Sequence, residues 1–525
     1  MTTVSLSSAE GRWVMASAIL ASSMGFIDGT ALNVVLPSLQ KSLNASGTEI
    51  FWILNAYLLM MASLILVGGA LGDHLGRKKV FMIGIALFIL GSTASGLAPG
   101  VAWLIGFRAL QGLGGSLMIP GSLSLISSSI DDKEKGKAIG TWSAITTVVT
   151  MGGPVIGGAL ADAGLWRFIF FINIPIGLAA LWMLWRKVQE RREDGANPAL
   201  DLPGAASIAF GLALLTFGCL RIPNTSIGDR WVILSLVCGL VLLVAFVFIE
   251  KNSRHPMMPL YLFTNSTFAG TNLLTFFLYA GLGVAMLFLS LDLVQAQGYS
   301  QLQSGLTFLP FTVVMILCSR LAGSLADKHG PKPFLVGGPA LAGAGLFLLS
   351  FVRETNGPKA YWTTFLPGVM VFGLGMACTV APLTTAVMGA VSDQMSGVAS
   401  GVNNALTRIA NVFANAMLGL LAVLLFTASL KGRVGALALD PPTRQAVLAQ
   451  AVNLGNAKPP SSLSGPVAAS VRAIYRSGFV DVYVKVMRIA AAFAWLAALL
   501  GLVTIKPRAQ EAGFKGKGKA ATLPS

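Results

Sequence analysis

The sequence is poor in charged residues, histidine and cysteine. Asp, Glu, Lys and Arg make up 11% of its 525 residues, whereas soluble globular proteins carry about 25%. The 3 histidines and 4 cysteines show no metal-ligand spacing, so no metal, disulfide framework or other cofactor is expected. No Gx4GK[ST] phosphate-binding loop is present. These absences exclude a soluble cytosolic enzyme and argue against an ATP-driven pump.

Apolar residues dominate what is present. They form 54% of the chain, the mean hydropathy is +0.74, and stretches long enough to cross a hydrocarbon layer of about 30 Å recur throughout. Because lipid cannot satisfy an unpaired backbone, these stretches must be helices. The sequence therefore predicts an all-α integral membrane protein with fourteen transmembrane helices. We place them at residues 13–36, 50–70, 80–98, 101–125, 138–161, 168–187, 204–221, 230–250, 267–291, 302–322, 333–351, 362–388, 398–427 and 479–505.

The net charge of +16 indicates membrane orientation. Lys and Arg concentrate in the short connections on one side and in the last twenty residues, and such residues mark cytoplasmic loops. We therefore expect both termini in the cytoplasm and membrane lipids around the chain. A nucleic-acid partner is not expected.

A ten-residue pattern occurs twice. Gly, Leu, Asp, Gly and Lys of Gly69–Lys78 recur in register in Gly323–Lys332, 254 residues further along, which indicates a duplicated six-helix unit. Parallel repeats of this kind are found in transporters with a central binding site. The sequence predicts a first bundle at 1–190, a linker with two inserted helices at 191–250, a second bundle at 251–505 and a basic tail at 506–525. The second bundle includes an external loop at 428–478, with a short amphipathic helix expected near the end of that loop.

Several motifs resemble the major facilitator superfamily and, within it, the fourteen-helix drug:proton antiporter branch. They are Phe26–Pro37, Gly69–Lys79, Arg108–Gly115, Gly152–Gly158 and Trp166–Gly177. The resemblance covers nearly the whole chain. It implies two pseudo-symmetric six-helix bundles with a two-helix insert, and proton-coupled transport by alternating access.

The loop between the second and third helices is a candidate cytoplasmic gate. Its members are Gly69, Asp73, Gly76 and Arg77, with Asp327 as the counterpart of Asp73 in the second half. The resemblance implies that Asp73 meets the amino end of a helix in the other half, expected near Ser396 and Gly397. The alternative is a loop that only anchors the topology.

The fifth helix contains Gly153, Pro154, Gly157 and Gly158. Small residues four apart favour close helix packing, and the proline removes a backbone hydrogen bond. The family associates this motif with exporters. A helix contact without directional meaning is the alternative.

Asp28 and Arg108 are the candidate proton-coupling pair. Counting about 1.5 Å per residue along their helices places both at a similar depth, where a charged side chain is costly and marks function. We expect Asp28 to exchange a proton as its contact with Arg108 changes. A permanent structural ion pair is the alternative, and Asp292 is the next candidate carrier.

Polar residues also mark one face of the thirteenth helix. Asn404, Arg408, Asn411 and Asn415 follow one another at spacings of four, three and four, and Gln111 lies on a comparable face of the fourth helix. These residues are candidate cavity lining or, alternatively, a packing network. The aromatic residues able to stack on a flat apolar ligand are Trp52, Tyr57, Phe276, Phe277, Tyr279 and Trp362. An interfacial belt or a lipid-facing position is the alternative for them.

Together these features predict a proton-coupled exporter of hydrophobic or amphipathic small molecules in a bacterial inner membrane, and not an enzyme. A dedicated exporter of one endogenous metabolite or lipid is the alternative. A membrane-embedded enzyme or receptor fits less well, because the sequence shows neither a His/Asp/Glu cluster at one depth nor a soluble domain. The sequence gives no basis for inferring an adaptor protein.

Overall fold

The computed structural model describes residues 3–505 except 191–200, 255, 356, 392–394, 436 and 438. The predicted basic tail and most of the linker therefore lie outside the described residues. So do the side chains at positions 70, 73, 74, 132, 133, 144, 147, 151, 396 and 397.

The described chain is built from α-helices. Their bounds are α1 Ala9–Leu43, α2 Gly47–Leu75, α3 Arg77–Leu97, α4 Val101–Ser129, α5 Asp132–Asp162, α6 Phe168–Phe171, α7 Asn173–Lys187, α8 Leu202–Arg221, α9 Arg230–Asn252, α10 Ser266–Gln295, α11 Gln301–Leu306, α12 Leu309–His329, α13 Lys332–Leu349, α14 Phe365–Gly389, α15 Ser396–Val434, α16 Pro441–Ala449 and α17 Gly465–Thr504. α6 and α7 form one span, as do α11 and α12, so the described helices provide fourteen spans. This confirms the predicted membrane fold.

The repeated sequence pattern corresponds to a repeated turn. Gly76 separates α2 from α3 with φ +104°, and Gly330 separates α12 from α13 with φ +86°. Residues with a Cβ rarely adopt these angles, so glycine is required at both positions. The two glycines are 254 residues apart, as the motif predicts.

Close helix contacts follow the same repeat. α3 packs on α4, and α13 packs on α14, through glycines that leave no room for a side chain. A Cβ on Gly84 would lie 3.0 Å from the Gly114 carbonyl oxygen, and one on Gly375 would lie 2.6 Å from the Gly338 oxygen. Four glycines of the first pair of helices recur 254 residues later in the second pair: Gly84, Gly91, Gly114 and Gly121 match Gly338, Gly345, Gly368 and Gly375.

The two bundles meet along a limited set of helices. α1 contacts α10, α2 contacts α15, and α5 contacts α11. The inserted helices α8 and α9 pack on each other, and α8 also contacts α2 and α15, one helix from each bundle. The insert therefore lies beside the interface between the halves.

The loop predicted at 428–478 is shorter in the structure. α15 continues to Val434 and α17 begins at Gly465. The polar ends of these helices pair with each other, since Arg433 Nη2 donates to Asp481 Oδ2 at 2.6 Å, so the helices extend beyond their apolar segments.

The predicted amphipathic helix is also misplaced. α16 lies at the start of the loop, where Asp440 caps it and hydrogen bonds from Thr443 lower the pKa of the Asp440 carboxyl.

The glycine contacts predict that replacing a glycine of α4 by a larger residue destabilises the protein only where the glycine packs against α3. Gly114→Val places a branched side chain against the α3 backbone, and overpacking of this kind destabilises by about 1–3 kcal/mol or more. Thermal unfolding of the detergent-solubilised protein should shift to lower temperature. Gly106→Val is the matched control, because no atom lies within 4 Å of a Cβ at Gly106. Equal melting temperatures for the two variants would contradict the packing argument.

Candidate functional site

Asp28, Arg108 and Gln111 form a closed hydrogen-bonded triad between α1 and α4. Arg108 Nη1 donates to Asp28 Oδ2 at 2.6 Å and to Gln111 Oε1 at 2.7 Å, and Gln111 Nε2 donates to Asp28 Oδ1 at 2.9 Å. All three side chains are at most 1% exposed. Both carboxylate oxygens are thus paired, as a buried charge requires.

Residues of neighbouring helices surround the guanidinium. Its carbon lies 4.3 Å from the centre of the Tyr57 ring and 6.0 Å from that of Phe170, distances at which a cation interacts with the ring face. Arg108 Nε also donates to the Ile53 carbonyl oxygen at 3.5 Å. Tyr57 is itself buried, and its hydroxyl has no hydrogen-bond partner among the described residues.

A cavity of about 660 Å³ lies between the two halves. Helices α1, α2, α4 and α5 line it from the first half, and α10, α12, α14 and α15 line it from the second. Arg108 and Tyr57 belong to its wall, whereas Asp28 and Gln111 lie behind that wall. The expectation that Gln111 lines the cavity is therefore not met, because its amide is used by the triad.

The polar face of α15 lies in the cavity wall. Asn404, Arg408, Asn411 and Asn415 all line the cavity, together with Asn403 and Thr407. Asn404 Nδ2 donates to the Ser400 carbonyl oxygen at 3.0 Å, and Asn411 Nδ2 donates to the Thr407 oxygen at 2.9 Å. The amides of Asn404 and Asn411 therefore bond within their own helix. Asn403 instead joins α15 to α10, since its Nδ2 donates to Asn272 Oδ1 at 3.1 Å and to Thr275 Oγ1 at 2.8 Å.

The cavity extends towards the face at which α2 ends, which the sequence predicts to be cytoplasmic and which we call the inner face. Met388 of α14 and Ser400 of α15, both near the inner ends of their helices, belong to its wall. We call the opposite face the outer face. The polar wall therefore lies between the two faces, at the depth expected for a transport site.

The motif glycines of α5 close the outer side of the cavity. Gly153 and Gly157 pack on Thr30 and Ala31 of α1, and Gly158 packs on the backbone of Gln301. At the same contact, Asp162 Oδ1 accepts from the Gln301 amide at 2.8 Å and Asp162 Oδ2 accepts from the Leu302 amide at 3.0 Å. The predicted close packing is present, but its contact with α11, in the other half, was not foreseen.

The loop between α15 and α17 adds a second closure at the outer face. Leu454 is buried, and a Cβ on Gly47 at the start of α2 would lie 3.1 Å from Leu454 Cδ1. Nearby, Gln295 Nε2 of the second half donates to Gln40 Oε1 of the first half at 3.1 Å, and Gln40 Nε2 donates to the Asn453 carbonyl oxygen at 3.3 Å. The halves are therefore bridged on this side.

The candidate gate residues lie at the inner face. Gly69 belongs to α2, Gly76 forms the turn, Arg77 begins α3, and Asp327 is exposed in the last turn of α12. The side chains of Asp73 and Ser396 lie outside the described part of the chain, and so does the expected contact of Asp73 with the start of α15. Glu190 also binds at this turn, where its carboxylate accepts hydrogen bonds from the Lys78 and Lys79 backbone amides at 3.1 and 3.0 Å. The sequence did not indicate this contact.

Asp292 lies apart from the cavity, near the outer end of α10. Its side chain is fully buried, Gln297 Nε2 donates to Oδ2 at 3.0 Å, and Oδ1 has no partner among the described residues. Burial and the neighbouring Asp292 raise the pKa of Tyr299, in the following turn, to about 12. Tyr299 is therefore neutral at physiological pH.

The triad predicts strong energetic coupling between Asp28 and Arg108. Asp28→Ala or Arg108→Ala alone leaves a buried charge without its partner, which costs about 3–5 kcal/mol. The double variant should therefore lose less stability than the sum of the single variants. Unfolding in detergent, measured for both single variants and the double variant, gives the coupling energy. The pair Arg221–Asp229 is the control, because its partially exposed side chains, 3.4 Å apart, should couple by about 1 kcal/mol or less. Additive losses for Asp28 and Arg108 would contradict the triad.

Comparisons with proteins of known sequence agree with this geometry. The family model described as Major Facilitator Superfamily matches residues 18–415 and 271–525. The chain is 29% identical over 498 residues to the tetracenomycin C resistance and export protein of Streptomyces glaucescens, covering 92% of this chain and 90% of that protein. It is 32% identical over 449 residues to the multidrug resistance protein Stp of Mycobacterium tuberculosis, covering 85% and 81%.

Solved structures show the same fold. A bacterial homologue of the human lysosomal transporter Spinster, inward-facing and unoccupied, matches with a TM-score of 0.62 at 18% identity, covering 96% of this chain and all of that one. A D-xylose–proton symporter matches with a TM-score of 0.59 at 16% identity, covering 94% and 98%. The fourteen spans, the repeated halves around a central cavity and the sequence matches agree, and the chain belongs to the Major Facilitator Superfamily.

Proposed function

We propose that this protein is a proton-coupled exporter of amphipathic small molecules. It would act by alternating access in the cytoplasmic membrane of a bacterium, with both termini in the cytoplasm. The observation that carries the proposal is the position of Arg108, which faces the cavity on one side and holds the buried carboxylate of Asp28 on the other. Substrate binding in the cavity can therefore alter the contact of Asp28 with Arg108 by moving the Arg108 side chain.

The cavity and the relatives support export of amphipathic compounds. Apolar and aromatic side chains line much of the wall, and the amides of α15 supply a smaller polar part, a composition typical of small-molecule sites. Two of the relatives are named for resistance, one to tetracenomycin C and the other to multiple drugs.

Asp28 is the proposed proton carrier. Its carboxylate oxygens are held by the Arg108 guanidinium at 2.6 Å and by the Gln111 amide at 2.9 Å, so loosening of these contacts frees an oxygen to bind a proton. We infer that Asp28 takes up a proton from the outer side when its contact with Arg108 loosens, and releases it to the inner side as the contact re-forms. Tyr57 offers Arg108 an aromatic face in either position, and substrate competes for the deprotonated state.

Alternating access assigns roles to the two closures. The contacts of α5 with α11 and of the loop residue Leu454 with α2 hold the outer face shut while the cavity faces inward. Opening outward requires these contacts to separate and the inner ends of the halves to approach. The Gly69–Lys79 segment, which joins α2 to α3 through the turn at Gly76 and has Asp73 as its proposed latch, lies where that approach takes place.

The energy source is tested in cells. Cells that make the protein should accumulate less of at least one compound from a panel of amphipathic dyes and antibiotics, and a protonophore should remove the difference. In the same assay, Asp28→Asn should abolish export and the pH dependence of substrate binding while retaining binding, because Asn cannot release a proton. Arg108→Ala should also uncouple export.

Asp292→Asn is the control for loss of a buried acid outside the cavity. Normal export by Asp28→Asn together with failure of Asp292→Asn would move the carrier to Asp292. Loss of export on ATP depletion, with the proton gradient intact, would contradict proton coupling. Expression and membrane insertion of each variant are measured alongside.

Alternating access is tested by fixing the outer face. With Cys219, Cys238, Cys318 and Cys378 replaced by serine, Gln40→Cys and Gln295→Cys are joined by a short bis-maleimide. The cross-link should abolish export, because the outer face can no longer open. The matched control joins Arg353→Cys and Asp481→Cys, whose native side chains are 3.0 Å apart within the second half, and should leave export intact. Full export by the cross-linked Gln40–Gln295 protein would refute the proposed motion.

A further inference from the structure

The cavity carries an unbalanced positive charge. Arg108 and Arg408 are the charged side chains among the described residues that line it, and no Asp or Glu belongs to that part of the wall. Asp28 neutralises Arg108 from behind the wall. Arg408 forms no ion pair with any described residue, and Tyr57 and Tyr279 are the titratable side chains that interact with it electrostatically.

Two further polar groups of the wall are buried without partners. Tyr57 is 2% exposed and Asn415 is 6% exposed, so water is largely excluded from both. The Tyr57 hydroxyl and Asn415 Oδ1 nevertheless have no hydrogen-bond partner among the described residues. Buried polar atoms are normally paired, so unpaired ones in a cavity wall indicate places that a ligand or water fills. Together with Arg408, they provide an anion-binding group, a hydroxyl donor and a carbonyl acceptor around one space.

The rest of the wall favours a flat apolar body. Met286, Met315, Met376 and Met388 line the cavity beside Phe311 and Tyr279. Thioethers adapt to ligands of different shape and contact aromatic rings favourably. Asn404 and Asn411 use their amide nitrogens within α15, which leaves their oxygens to accept hydrogen bonds from substrate hydroxyl groups.

We propose that the preferred substrates are acidic aromatic amphiphiles: ring compounds that carry a carboxylate or an ionised phenol or enol, with Arg408 as the group that binds the anion. This inference rests on the proposed export function and specifies its substrate class. A guanidinium presents a planar fork of donors that matches a carboxylate, and it carries its charge at any physiological pH. A cationic compound would be repelled by the positive charge of Arg408, because no Asp or Glu among the described lining residues offsets that charge.

Binding to the purified full-length protein in lipid nanodiscs tests the assignment. The probes are anthraquinone-2-carboxylate, its methyl ester and a trimethylammonium derivative of the same ring system. Wild type should bind the acid roughly tenfold to hundredfold more tightly than the ester, the range for a hydrogen-bonded charged group, and should bind the cation least. Arg408→Gln should reduce acid binding to the level of the ester, and Arg408→Lys should retain part of the preference.

Two variants separate charge recognition from a loss of folding. Arg320→Gln removes an exposed arginine of α12 that is outside the cavity wall, and it should bind all three probes as wild type does. Asn404→Asp places a carboxylate one turn before Arg408, where the two side chains can pair. This variant should lose the preference for the acid and gain affinity for the cation. Melting temperatures are compared for every variant.

The result also distinguishes this inference from the export proposal. Equal binding of acid and ester, preference for the cation, no binding of any probe, or an equal loss of all three in Arg408→Gln would overturn the assignment of Arg408, even if export in cells remains sensitive to protonophores. An acid preference that follows Arg408, in a protein whose export ignores protonophores, would support the substrate class and refute proton coupling.

Discussion

The hydrocarbon interior of a membrane offers no water to polar groups, so each such group must find a partner within the protein. The helices satisfy the backbone, and the triad of Asp28, Arg108 and Gln111 satisfies a buried charge with three short hydrogen bonds. Some polar groups lack such a partner among the described residues. Arg408 forms no ion pair, and the Tyr57 hydroxyl and Asn415 Oδ1 form no hydrogen bond. These three belong to the wall of the cavity, whereas Asp292 Oδ1 is unpaired outside it.

The duplicated fold carries different chemistry in its two halves. The turn glycines and the packing glycines of the two halves are related by an offset of 254 residues. At the same offset, the residues equivalent to Asp28, Arg108 and Gln111 are Leu282, Trp362 and Phe365. The second half therefore has no copy of the triad at the equivalent positions. Most of the polar side chains that it contributes to the cavity wall lie instead on α15. In the proposed mechanism the first half handles the proton, the second half holds the substrate, and the cavity between them couples the two.

Much of this organisation could be predicted from the sequence because it depends on regular geometry. Helix rise placed Asp28 and Arg108 at one depth, and they meet at 2.6 Å. Helix periodicity placed Arg408 and three asparagines on one face, and that face lines the cavity.

Features that depend on packing between distant segments could not be predicted in this way. Gln111 lies three residues after Arg108. This spacing allows the Gln111 side chain either to line a cavity or to bond to Arg108. The position of α1, which carries Asp28, decides between the two. The contact of α5 with α11 and the stacking of Tyr57 on Arg108 likewise require the mutual arrangement of helices. The pairing of Arg433 with Asp481, which lengthens α15 and α17, joins residues on either side of a long loop.

An unpaired arginine in a transport cavity also determines how the membrane potential acts on the exchange. A proton that enters and a monoanion that leaves both move positive charge inward, so one exchange carries two charges through the field. Exchange of a monocation for one proton carries none. Each charge gains about 2.3 kcal/mol per 100 mV. An exporter of acids built on Arg408 would therefore be electrogenic, and it would retain a driving force in a bacterium whose internal and external pH have become equal.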